Sequence, residues 1–324
     1  MKNLKKEINK FFQLLNTIVK TKPYLVVIVL HEYLRNLYPE DSFLKFTENN
    51  HTKRIKKILK HLTEFIKLSN KIKTYKIKFN KELVHKNLNQ INDQIFCKIF
   101  KAHENKIHEK KYLTNLKNLG LDKKYFKNKY ILDAGTGYGR HAKIFSNLSA
   151  RKIIAIDGKL TIKKNLQESK IKNITYKEGN VLNLKFKNSV FDFVNCYGVL
   201  HHTSSIDKGI QELLRVLKKG GFLFLYIYGK GGVFWDSRKK MNKLFKKIPQ
   251  EYTKKIFEMI NVPKERFIFE DTWYAPTETH TYKKKLEKML IRHKIDFFKK
   301  LINKTFDKNK NIWGDGDLIY LIKK

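Results

Sequence analysis

Cysteine, proline and acidic side chains are all scarce in this chain. Its 324 residues include two cysteines, Cys97 and Cys196, standing 99 positions apart. That excludes a disulfide framework and a C-x-x-C zinc pair. Histidine neighbours such as His201-His202 and His280-Thr-Tyr do not complete a ligand set, so no metal is expected. Long apolar runs are missing too. The most apolar stretch, PYLVVIVL at 23–30, falls far below the ~18–20 residues needed to span a bilayer. It follows seven charged residues and lacks a small-residue cleavage site, which makes it a poor signal peptide. A soluble, cytoplasmic protein without a transmembrane segment is the expectation.

Acidic residues number 30 against 70 basic ones, a formal net charge of +40. Neutralisation of phosphates by Lys and Arg dominates non-specific nucleic-acid binding, so such a balance points first to nucleic acid. Three features argue against that reading. Lysine outnumbers arginine 62 to 8, although arginine is favoured for bidentate phosphate and base recognition. Asparagine and isoleucine are also abundant, as a coding bias toward A and T would produce. Residues 1–128 carry +18, leaving +22 for the remaining 196 residues. The charge is spread rather than concentrated, and reads mainly as a solvated surface.

What is present is a cofactor-type βαβ unit at 129–157, KYILDAGTGYGRHAKIFSNLSARKIIAID. Tyr130, Ile131 and Leu132 suit a buried parallel strand, with Asp133 at its carboxyl end, where such sheets bind ligands. Gly135, Gly137 and Gly139 allow a sharp turn and close backbone approach to a ligand. Ile153–Ile156 form the next strand and Asp157 sits at its tip, where a carboxylate can accept hydrogen bonds from a ribose diol. The spacing is D-x-G-x-G-x-G, whereas nicotinamide-type enzymes use G-x-G-x-x-G, so an oxidoreductase fits poorly.

This segment resembles motif I of the class I S-adenosylmethionine-dependent methyltransferases. ITYKEGNVLNLKF (174–186) is similar to the family's third strand, with Gly179-Asn180 in place of the usual Gly-Asp. VFDFVNCYGVLHHTSS (190–205) resembles the fourth strand and loop of the ubiquinone-biosynthesis-like, or type 11, branch. IDKGIQELLRVLKKGGFLFLYIYGK (206–230) reads as a helix with a Gly220-Gly221 stop, then an apolar fifth strand. The resemblance implies an α/β fold: a Rossmann-like, doubly wound seven-stranded sheet with an antiparallel last strand. It also implies S-adenosyl-L-methionine as cofactor. Asp133 would help hold the methionine amino group, Gly135, Thr136, Gly137 and Gly139 would underlie the cofactor, and Asp157 with Gly158 would take the ribose. Asn180 and Val181 would meet the adenine, and Tyr197 is a further cofactor-binding candidate.

Beyond the matched stretch, 236–260 reads as two helices broken by Pro249, 283–294 as a helix, and FFKKLIN with DLIYLIKK as an antiparallel final strand pair. The domain reading is a helical N-terminal region at 1–128 and a methyltransferase domain at 129–324. A substrate-binding insertion is expected at about 229–282, where the family usually builds its acceptor site. In the N-terminal region Leu4, Ile8, Phe11, Phe12, Leu15, Ile18 and Val19 keep helical spacing, as do Ile55, Ile58, Leu59, Leu62, Phe65 and Ile66. Leu83, Leu88, Ile91, Ile95 and Ile99 follow it more loosely, Tyr75, Ile77 and Phe79 alternate as a strand would, and Gly120 suits a helix C-cap. Packing of these faces on the methyltransferase core or in a homodimer is favoured over a membrane-surface helix at 2–19.

Methyl transfer from a sulfonium needs mainly alignment and exclusion of water. A hydroxyl acceptor also needs a base, for which His201 and His202 are the candidates; Tyr228, Tyr274 and His280 are candidate substrate contacts. Asn195-Cys196-Tyr197-Gly198 departs from the Asn/Asp-Pro-Pro-aromatic signature of enzymes that methylate exocyclic base amines, and no Pro-Cys nucleophile is present. The expected substrate is therefore a small molecule, a sugar, or a glycan or lipid precursor. The alternatives are an RNA-directed methyltransferase and a non-catalytic, cofactor-binding regulatory subunit.

Overall fold

The computed structural model describes residues 2–37, 47–71, 106–168, 171–262, 273–295, 297–301, 307 and 309–324. The strand expected at Tyr75–Phe79 and the helical period from Leu83 to Ile99 lie outside the described residues. The chain divides into two compact units, and not at residue 128: one comprises Met1–His85, Lys230–Tyr274 and Asn303–Gly316, the other Lys86–Gly229, Ala275–Ile302 and Asp317–Lys324.

The first unit is helical among its described residues. It holds α1 (Lys2–Ile18), α2 (Pro23–Leu37) and α3 (Glu48–Ser69). The α1 positions Leu4, Ile8, Phe11, Phe12, Leu15 and Ile18 are buried, so the stripe read from the sequence is a packed face. The PYLVVIVL run lies inside α2, where Leu25, Val26, Val27, Val29 and Leu30 are all buried. Phe11 and Phe12 pack on Tyr33, ring centroids 5.3 and 5.7 Å away, and the Tyr33 hydroxyl pairs with Ser237 Oγ at 2.8 Å. Among the described residues no helix is long and apolar enough to cross a membrane.

Among its described residues the second unit begins with α4 (Lys106–Asn118) and α5 (Lys123–Phe126). Tyr112, Leu116 and Phe126 are buried against Ile131, Phe145, Ile153 and Phe193 of the sheet layer, so 106–128 belongs with the sheet and not with the N-terminal helices. The chain then runs through β1 (Tyr130–Ala134), α6 (Arg140–Asn147), β2 (Lys152–Asp157), α7 (Lys159–Glu168), β3 (Ile174–Glu178) and β4 (Phe191–Tyr197). It continues with α8 (Ile206–Val216) and β5 (Leu217–Tyr228). Next come α9 (Gly232–Phe245) and α10 (Gln250–Met259), which group with the first unit, so the expected insertion departs from the sheet domain. Then follow α11 (Lys283–Arg292), β6 (Phe297–Lys300), α12 (Lys310–Trp313, in the first unit) and β7 (Asp317–Lys323).

The seven strands form one sheet in the order β3-β2-β1-β4-β5-β7-β6, parallel through β5, with β7 antiparallel to both β5 and β6. Leu132 of β1 stands level with Ile154 of β2 and Val194 of β4, all buried, as expected of strands covered on both faces. The order reverses between β1 and β4, which opens the ligand crevice at their carboxyl ends.

One expectation fails locally. Gly220-Gly221 does not stop α8, which ends at Val216. The reason is capture of its last carbonyls: Ser189 N–H donates to Arg215 O at 3.0 Å and Val190 N–H to Val216 O at 2.8 Å, as the chain enters β4. Leu217 is already extended, and the glycines lie within β5, where Gly220 N–H donates to the carbonyl of Lys324 at 2.7 Å.

Asp192 ties β1 to β4 and β5, accepting from Tyr130 N–H and from the Lys218 ammonium at 2.8 Å each. Burial disfavours its charge, but those two hydrogen bonds and the charges of Lys218 and Lys129 outweigh it and hold its pKa below the ordinary carboxylate value. A depressed folded pKa gives stability that is present above the unfolded value of ~3.9 and is lost as pH falls through the folded one. In urea titrations, wild type should exceed Asp192→Asn in stability at neutral pH, and the gap should close on acidification below about pH 4.

Candidate functional site

The glycine turn between β1 and α6 is the centre of the site. Gly135 and Gly137 have φ of +78° and +54°, values open to glycine and costly for other residues. A Cβ on Gly135 would also overlap the Val199 side chain, so the turn packs directly on the loop after β4.

Asp157 holds this turn from the tip of β2. Its Oδ2 accepts from Gly137 N–H at 2.7 Å and its Oδ1 from Gly158 N–H at 2.8 Å. A carboxylate offers about four acceptor sites, so the residue that shapes the turn can also meet a ribose diol. The D-x-G-x-G-x-G glycines and the second-strand acid are thus brought together as the sequence predicts.

Asp133 departs from its expected place. It is fully buried, accepting from Thr136 Oγ1 at 2.6 Å and from Asn195 Nδ2 at 2.7 Å. Burial pushes its pKa up against those hydrogen bonds, a further one from Ala142 N–H, and the charge of Arg140. The carboxylate faces protein groups and braces the turn from behind, instead of standing on the ligand surface. Asn195 Oδ1 in turn accepts from the Tyr112 hydroxyl at 2.8 Å. The chain Tyr112–Asn195–Asp133–Thr136 is buried throughout. Tyr112 also stacks on His141 with centroids 4.2 Å apart and meets Tyr197 edge-on at 5.2 Å. Sequence reasoning missed Tyr112 because its partner lies 83 positions away and nothing local to α4 marks it.

Asn180 and Val181 follow β3. Asn180 Oδ1 accepts from Leu182 N–H at 2.8 Å, an Asx turn that shapes this corner, and Val181 is buried. Tyr197 ends β4 against Tyr112, Phe224 and Tyr226, and the Tyr226 hydroxyl donates to Asp317 Oδ1 at 2.9 Å. Gly139 caps α6, its N–H donating to Thr136 O at 3.0 Å.

The two candidate bases differ in chemistry. His201 is fully buried, its Nδ1 accepts from Tyr228 N–H at 3.2 Å, and its ring stacks on Tyr228 at 3.5 Å. The neutral ring therefore carries its proton on Nε2. His202 Nδ1 lies 3.0 Å from the carbonyl of Thr277, which can only accept; Nδ1 is protonated and the neutral ring's lone pair is on Nε2. The 277–281 segment is pinned here by Thr279 N–H to His201 O at 2.7 Å and Thr281 N–H to Tyr228 O at 3.3 Å.

Tyr228 and His280 come together, ring centroids 6.2 Å apart, and His280 Nε2 pairs with Glu278, a partner the sequence did not single out. The remaining candidate contact is Tyr274. It falls in the helical unit, where its hydroxyl pairs with Thr253 and its ring packs on Phe245. Among the described residues no group of three or more His, Cys, Asp or Glu could hold a metal ion.

Residues 132–225 match the sequence profile of the family described as "Methyltransferase domain". An uncharacterised methyltransferase of Bacillus subtilis, YcgJ, is 30% identical over 99 residues, covering 29% of this chain and 39% of the relative. A crystal structure of the B. subtilis YcgJ protein aligns at 16% identity with a TM-score of 0.41, covering 64% of this chain and 98% of that one. An S-adenosylmethionine-dependent methyltransferase from Mesorhizobium loti aligns at 13% identity with a TM-score of 0.43, covering 61% and 92%. The chain spans 26 to 61% of the length of curated relatives it matches. Residues 132–225 are thus similar in sequence to a methyltransferase domain, and they lie in a Rossmann-like sheet whose glycine turn is braced by an acid.

Proposed function

We propose that the chain is an S-adenosylmethionine-dependent methyltransferase acting on a small molecule, a sugar, or a glycan or lipid precursor. The observation that carries the cofactor assignment is the Asp157 carboxylate, at the tip of β2, holding the N–H groups of Gly137 and Gly158 beside the switch point of the sheet. The residues present fit the group. Gly135 and Gly137 give a turn without side chains on the approach, Asp157 is a ribose acceptor, and Asn180 with Val181 stands at the adenine corner. When bound, S-adenosyl-L-methionine supplies the electrophilic methyl carbon, opposite a departing thioether.

The protein's share is alignment, dryness and, for a hydroxyl acceptor, one proton transfer. His202 is the better base of the two candidates, because its Thr277 contact puts the lone pair on Nε2. His201 is occupied as a support for Tyr228. Tyr228 and the His280–Glu278 pair form a polar wall beside these histidines and are the proposed acceptor contacts.

Calorimetric titration with S-adenosyl-L-methionine should show one site, weakened about tenfold or more in Asp157→Ala, the loss expected on removing charge-assisted hydrogen bonds. No binding to the folded wild-type protein would overturn the assignment. Binding without transfer across an acceptor panel would point to a regulatory subunit, and transfer to total RNA to an RNA substrate. With a hydroxyl acceptor, His202→Gln should lower kcat about 10²- to 10⁴-fold and leave cofactor affinity unchanged. An equal loss in both would mean that His202 serves only to hold the 277–281 segment.

A further inference from the structure

In the helical unit, α1 and α9 line an open-mouthed cavity of about 400 Å³, formed by Lys5, Ile8, Asn9, Val233, Asp236, Lys239, Lys240 and Lys243. This volume lies within the range of small-molecule sites. Its floor is apolar, from the buried Ile8 and Val233. Its walls are cationic, with four ammonium groups against one carboxylate, and that carboxylate, Asp236, already pairs with Lys5 at 3.4 Å.

The arrangement is not what spread lysines on a helix produce. Asp236, Lys239, Lys240 and Lys243 fall three and four positions apart on α9, so they share one stripe. Like charges at that spacing repel, and here the stripe faces a concavity where Lys5 adds another cation from a second helix. Lys240 is partly buried, and its pKa is lowered by that burial and by Lys243, Lys239 and Lys5, against the pull of Asp236. A dianionic group in the cavity would relieve all of these repulsions at once, and its organic body would cover Ile8 and Val233.

We propose that this cavity binds a phosphate-type anion, an organic phosphate or diphosphate, held by Lys5, Lys239, Lys240 and Lys243. The site belongs to the unit formed by the N-terminal helices and Lys230–Tyr274, and it stands independently of methyl transfer.

The test is calorimetric titration of the full chain with inorganic pyrophosphate at low and moderate salt. Saturable one-to-one binding is expected, weakened by salt and weakened about tenfold or more in the double variant Lys240→Gln/Lys243→Gln. The double variant Lys123→Gln/Lys124→Gln, which removes two exposed lysines from the other unit, should bind as wild type. Asp236→Asn, which removes only the opposing carboxylate, should bind more tightly. Circular dichroism verifies that each variant is folded. Absence of saturable heat, or equal weakening in both double variants, would overturn the proposal in favour of diffuse surface charge. Cosedimentation with vesicles of phosphatidylcholine containing phosphatidic acid, but not phosphatidylcholine alone, competed by pyrophosphate, would support the site with a lipid headgroup as ligand. Pyrophosphate binding without cosedimentation would support it with a soluble phosphate.

Discussion

A carboxylate buried with no access to water must find its hydrogen bonds inside the protein, and Asp133 is where that requirement organises the fold. Meeting it fixes the Thr136 hydroxyl and hence the glycine turn. It also fixes the Asn195 amide on the neighbouring strand and, through that amide, the Tyr112 hydroxyl of a helix that precedes the sheet. The amide cannot flip without breaking both of its contacts, because one end must donate to the carboxylate and the other accept from the phenol. A single buried carboxyl group thus aligns β1, β4, α4 and the glycine turn. The raised pKa of Asp133 is the expression of that burial.

The second acid does the complementary work. Asp157 remains at the strand tip, where its two oxygens secure the N–H groups of Gly137 and Gly158 and hold the turn open toward the crevice. Two carboxylates at the ends of adjacent parallel strands therefore differ in role because one is sealed behind the turn and the other faces its mouth. The histidines after β4 divide in a similar way. A backbone donor assigns one tautomer to His201 and a backbone acceptor assigns the other to His202, so neighbouring identical residues have opposite chemistry.

The helical unit is assembled from three separate stretches: one precedes the sheet unit, and two leave and re-enter it, after β5 and between β6 and β7. These are the connections that the Rossmann-like topology leaves free, since β5, β7 and β6 pair regardless of what is inserted between them. The unit has an aromatic core of its own, with Trp273 stacked on Phe245 at 4.4 Å and edge-on to Phe257 at 5.6 Å. Burial of such large side chains supplies the apolar area that a separate unit requires.

The sequence by itself marked the glycine turn, Asp157 and the last antiparallel pair, because each is written in short-range patterns: apolar runs, glycine spacing, and an acid at a strand tip; the seven-stranded sheet followed from the family resemblance, and its strand order came only with the structure. It also marked the apolar stripe of α1. Tertiary structure alone decided the rest. Which carboxylate is sealed, that Tyr112 completes its network, and that Tyr274 packs with Thr253 and Phe245 all rest on contacts between residues well separated in the chain. The end of α8 ahead of its glycines and the grouping of Lys230–Tyr274 with the N-terminal helices are of the same kind. Local propensity is a weak force beside the burial of a whole face or the satisfaction of a captured carbonyl. Residue spacing records the first and carries little trace of the second.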